Sequence, residues 1–162
     1  GSTLTAADWF NDLNRLHYTI LADPATLATA KDSLFPAWTT PTFAAGDFTA
    51  SGSMTWTVAA GDVATYAYIV NGKMMTVLFE INTTTVGGTL SNTLQIAIPA
   101  SKTSTKRTTN PVHLSDNNTN TTGRAVVTAS GTIISILRTD AANFAASTDL
   151  TYVFGQITFE IN

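Results

Sequence analysis

Phe48-Thr49-Ala50-Ser51-Gly52-Ser53-Met54-Thr55-Trp56-Thr57-Val58 alternates without a fault between apolar or small residues and hydroxyls. Successive side chains of a strand point to opposite faces, so this pattern predicts one half-buried strand. Phe48, Met54, Trp56 and Val58 face a core and the hydroxyls face water. The period of two persists downstream. Gly61-Asp62 turns the chain, and Val63 to Val70 forms a second strand with Tyr66 and Tyr68 on one face. Asn71-Gly72 is the strongest hairpin signal, because both central residues of a type I′ turn take positive φ. Lys73 to Ile81 returns with Met75, Val77, Phe79 and Ile81 on one face.

Beyond Gly87-Gly88, Leu94, Ile96 and Ile98 alternate until Pro99 ends that strand. Residues 100–124 are polar and read as a long loop, a length more common for a binding segment than for an inert connection. Arg124 to Ala129 and Thr132 to Leu137 predict a second hairpin around Gly131. Leu150 to Phe154 and Gln156 to Ile161 close the domain, with Gly155 as a bulge or bend. Seven to nine strands with frequent turn signals predict a mainly β fold, an antiparallel β-sandwich of jelly-roll type.

Upstream the period is different. Trp9, Leu13, Leu16 and Ile20 form one helical stripe, and Leu27, Ala30 and Leu34 form a shorter one after Asp23-Pro24. Gly1-Ser2 reads as a protease scar of an expression vector. Residues 3–35 are expected to form a helical stem, 36–47 a Pro-broken linker and 48–162 the β-sandwich. Trp38 is expected to plug the seam between stem and sandwich.

Composition excludes several classes. The 162 residues include no cysteine, so disulfides, thiolate metal sites and cysteine nucleophiles are out. Eight Lys and Arg against eleven Asp and Glu give a net charge of −3, which argues against nucleic acid as partner. No run is long and apolar enough for membrane insertion. Charged residues make up 12% of the chain, half the usual share of about 25%, and 31 threonines fill the gap. A surface of hydroxyls suits strands, because Thr is β-branched.

No catalytic constellation is found. His113, Ser115 and Asp116 lie on one short stretch, whereas a triad converges from separate elements. Glu80 and Glu160 sit at outward positions and do not form the acid pair of a glycoside hydrolase. Asp116, Asn117, Asn118 and Asn120 lack the order of a calcium loop, so no metal and no cofactor is expected. Asn82, Asn117 and Asn120 begin Asn-x-Thr triplets of the kind that arise by chance in a Thr-rich chain. Trp56 reads as core and not as a sugar-stacking platform. Tyr66 and Tyr68 could carry their hydroxyls to a subunit contact. His113, Asp116, Asn117 and Asn118 offer donors and acceptors for a saccharide, and Lys102, Lys106 and Arg107 could meet acidic cell-wall polymers. The plainer reading of residues 100–124 is a flexible crossover.

Gly52-Ser53-Met54-Thr55-Trp56-Thr57-Val58, Gly61-Asp62-Val63, Tyr66-Ala67-Tyr68 and Asn71-Gly72-Lys73-Met74-Met75-Thr76-Val77 follow one another in a familiar order. Together with Thr85-Val86-Gly87-Gly88, Leu94-Gln95-Ile96-Ala97-Ile98-Pro99 and Gly155-Gln156-Ile157-Thr158-Phe159, the chain resembles C-terminal β-domains of bacteriophage tail and fibre proteins. The resemblance implies a virion surface module, usually a homotrimer, attached to other virion proteins upstream and exposed on the extracellular particle. It implies recognition of a host cell-surface saccharide or protein, and no enzymatic activity. The competing expectation is a monomeric carbohydrate-binding module of a secreted bacterial protein. A glycan-degrading enzyme is a third, for which the acid pair is missing.

Overall fold

The computed structural model describes Thr5, Ala7, Asn11 and residues 36–162. The expected stem over 3–35, and the seam that Trp38 would plug, lie outside the described residues. Trp38 itself is half exposed.

Nine strands form the described fold: β1 (Phe48–Ala50), β2 (Met54–Thr57), β3 (Val63–Asn71), β4 (Met74–Gly88), β5 (Thr93–Ala97), β6 (Thr108–Asp116), β7 (Thr119–Val127), β8 (Ile133–Arg138) and β9 (Ser147–Glu160). All pair antiparallel, in the order β1-β5-β8-β7-β6-β9-β4-β2, and β3 also pairs with β4. The mainly β, antiparallel class read from the period of two is the class the chain adopts. The strands follow one continuous hydrogen-bonded path, and that path curls until its ends nearly meet. Tyr66 on β3 touches Phe48 on β1, with ring centroids 5.5 Å apart, and its hydroxyl donates to the Ala97 carbonyl of β5 at 2.7 Å. Burial pushes that phenol above its usual pKa range, and the nearby Asp47 carboxylate adds to the effect.

Alternation builds the interior. Met75, Val77, Phe79 and Ile81 are fully buried on β4, Leu94 and Ile96 on β5, Ile134 and Ile136 on β8. The fifteen-residue β4 serves two strands along one edge: β3 pairs with its first part and β2 with its last. Between them Thr83 takes a positive φ of 50° and the register against β9 shifts. Such a bulge bends the strand and increases its twist, which helps a nine-stranded sheet curl. Residues from Trp38 to Asn162 form one compact unit, and Thr39 pairs with Tyr68 on the open edge of β3.

Four expectations are corrected. The stretch 48–58 is two strands, because Gly52 with φ +66° breaks it and sends the chain from one end of the sheet path to the other. The hairpin after β3 turns on Gly72-Lys73, since Asn71 pairs with Met74. Only Gly72 has positive φ there, which is the II′ pattern and not I′. Residues 100–124 are not a long loop: β6 and β7 form a hairpin in the middle of the sheet, in register from Thr108↔Val127 to Asp116↔Thr119. Its turn is Asn117-Asn118, with φ of 48° and 61°, the type I′ geometry.

Gly155 makes no bulge, because Phe79↔Gly155 continues the β4–β9 register. Instead it lets β6 come close. A Cβ there would lie 2.7 Å from Cγ1 of Val112. β6 pairs with β9 only from His113 to Ser115, so Pro111 withholds its missing N–H from no partner strand on that side. Gly155→Ala should lower stability by about 1–3 kcal/mol through overpacking. Urea unfolding checks this, and adding Val112→Ala should recover part of the loss.

Candidate functional site

The four residues expected to contact a receptor do not converge. Asp116 ends β6 and is buried. Its carboxylate takes a hydrogen bond from Arg138 Nη1 and a bifurcated one from the Ala145 N–H, at 3.0 and 3.1 Å to its two oxygens. Arg138 also grips Asp140 with two bonds, Nη2 to Oδ2 at 2.6 Å and Nε to Oδ1 at 3.0 Å. Asp116 thus ties the loop after β8 to the central hairpin, and its charge is already satisfied. Asn117 and Asn118 are the exposed turn of that hairpin.

Asp140 is exposed, and the Arg138 guanidinium holds its carboxyl down at about 2, helped by the Ala142 N–H. A depressed carboxylate stabilises the fold above its ordinary value of 3.8 and loses that contribution as pH falls through about 2. Asp140→Asn should therefore flatten the acid limb of the stability curve in that window, as read by denaturant midpoints at stepped pH.

His113 points the other way. It is exposed on the outer face of β6, and its ring stacks on Phe154 of β9 with centroids 4.3 Å apart and planes 24° apart. Phe154 is 45% exposed, unusual for a phenylalanine in the middle of a sheet. The registers align a row across five strands: Thr65 on β3, Glu80 on β4, Phe154 on β9, His113 on β6 and Thr122 on β7. Residues paired across neighbouring strands share a face, so this row is one outer surface. Beside Phe154 lies a depression of about 230 Å³ lined by Thr65, Leu78, Glu80, Gln156 and backbone at Gly155. Glu80 Oε1 accepts from the Asn82 amide at 3.4 Å. Phe154 and Gln156 were not among the residues expected to bind. The signal was present, since both share parity with Thr158 and oppose the buried Val153, Ile157 and Phe159.

A larger cleft of about 660 Å³ opens where the 41–49 segment faces the turn after β5. Asp47, Tyr66 and Lys102 line it over an aliphatic floor of Ile98, Pro99 and Ile133. The Tyr66 phenol is already hydrogen-bonded to the Ala97 carbonyl, and among the described residues no other aromatic side chain lines the cleft. Lys106, one of the cations considered for acidic polymers, instead pairs with Glu160 at 2.6 Å. Among the described residues no three His, Asp or Glu come together to hold a metal, and no helix is long and apolar enough to cross a membrane. No family model, curated protein or solved structure matches the chain.

Proposed function

We propose that this chain is a structural and receptor-binding module of a phage virion, a fibre head that recognises the host surface and performs no catalysis. The curled sheet is read as its sandwich-like head. A jelly-roll packing of that head belongs to the proposal, as does a homotrimer that presents the heads on the particle. The observation that carries the reading is the half-exposed Phe154 stacked on His113, held on a frame whose interior side chains are fully buried. An aromatic pair left open on a rigid sheet, ringed by hydroxyl, amide and carboxylate groups, is a surface built to be covered by a polar partner.

The same platform favours the second reading, a monomeric carbohydrate-binding module of a secreted protein. Both readings require surface recognition, and assembly separates them. The test of recognition is adsorption of the fluorescently labelled chain to a panel of bacterial strains. Saturable binding to some strains, reduced in Phe154→Ala, is expected. Absence of saturable binding across the panel would remove the receptor-binding role.

A further inference from the structure

We infer that the depression beside Phe154 is a subsite for one neutral pyranoside, which stacks its C–H face on the Phe154 ring and donates its hydroxyls to Glu80 and Gln156. The inference rests on the reading of this face as a recognition surface, and it adds the ligand's chemistry.

Three features select that chemistry. The first is the ring. Phe154 is backed by His113 at 4.3 Å and so is held in place while exposed. A preplaced aromatic surface costs little conformational entropy when it is covered. The apolar face of a sugar ring matches it, and Leu78 extends the apolar floor.

The second is the acceptor set. Glu80 lies directly across from Phe154 in the register, Gln156 is two residues further along the same strand, and Thr65 is paired with Glu80. A carboxylate, an amide and a hydroxyl beside one ring match the vicinal hydroxyls of a pyranoside. An ionised carboxylate accepts hydrogen bonds about twice as strong as neutral ones. Its one hydrogen bond among the described residues, from Asn82, is long, so Glu80 retains acceptor capacity. Among the described residues no cationic side chain lines the depression, which disfavours phosphate and acidic sugars.

The third is size. At about 230 Å³ the depression falls below the usual range for drug-sized ligands, and it fits a single ring. A site this small and open binds weakly, with Kd in the millimolar range. On a particle carrying many copies, linked weak sites yield useful avidity.

Titration of the isotope-labelled chain with methyl β-D-glucoside, methyl β-D-galactoside and methyl N-acetyl-β-D-glucosaminide tests the subsite, read as chemical-shift changes. At least one probe should move the Phe154 ring and Gln156 side-chain amide signals with a millimolar Kd. Phe154→Ala should weaken it by about tenfold or more, Phe154→Tyr should retain it, and Glu80→Gln should weaken it several-fold. Phe154 and Glu80 are exposed, and the dispersed spectrum of each variant verifies its fold. No shift with any probe, or the same shifts in Phe154→Ala, overturns the subsite. Cell adsorption of the same variants keeps the two ideas apart. Adsorption undiminished in Phe154→Ala overturns the subsite as the contact and leaves surface recognition standing. Sugar binding at Phe154 without adsorption to any strain supports the subsite and removes the host-recognition role.

Discussion

Trp56→Ala lowers the free energy of unfolding by about 3–5 kcal/mol, the range for truncating a large buried aromatic. Trp56 is 5% exposed, packs edge-on against Phe48 at 5.8 Å and donates its indole N–H to Thr84 Oγ1 at 2.8 Å. Thr84 is itself fully buried, and its hydroxyl donates in turn to the Thr151 carbonyl at 2.9 Å. Truncation opens a cavity and removes a donor from that chain at once. It also strikes a weak place, because β2 has four residues and, among the described strands, pairs with β4 alone. Trp56→Phe refills most of the cavity and isolates the lost hydrogen bond, at about 1 kcal/mol for the bond. Urea unfolding followed by circular dichroism measures both. A loss below about 1 kcal/mol for the alanine variant would place Trp56 outside the core.

Asp116→Ala is expected to cost about 2–3 kcal/mol, below the 3–5 typical of a broken buried pair. The reduction has a structural cause. The Arg138 side chain is 19% exposed and keeps its two bonds to Asp140, so its charge is not stranded. What is lost is the cation's inner partner and the acceptor of the Ala145 N–H. Phe144, adjacent to that N–H, is 1% exposed and plugs the core from the same loop. Faster amide exchange through residues 139–146 should accompany the loss. Asp116→Asn retains an acceptor for Ala145 and should cost less. A change within about 0.5 kcal/mol for Asp116→Ala would mean that the loop is held by Phe144 alone.

The strands that bury a regular apolar row were legible. Met75, Val77, Phe79 and Ile81 announce an inner face, as do Leu94, Ile96 and Ile98, and all are buried. The central hairpin was not. Its inner positions include Asn110, Asp116, Thr121 and Gly123 among Val112, Leu114, Ala125 and Val127, so no apolar alternation shows. Pro111 argues against a central strand until β6 is seen to leave β9 there. Asn117-Asn118 carried the turn signal, but the length and polarity of residues 100–124 pointed to a binding loop instead. The candidate site shows the same limit. His113 was read as a polar group of a binding loop, and Phe154 shares parity with polar neighbours. Their stacking, and the position of Glu80 opposite Phe154, depend on pairings between strands distant in sequence. Asp116 was read as a surface ligand because its cation, Arg138, comes from another strand.

Sedimentation equilibrium of the whole chain tests the fibre-head reading most directly. A particle three times the 17.1 kDa chain mass, stable on dilution, is the expected result. A single species at 17.1 kDa would contradict it and favour the monomeric carbohydrate-binding module.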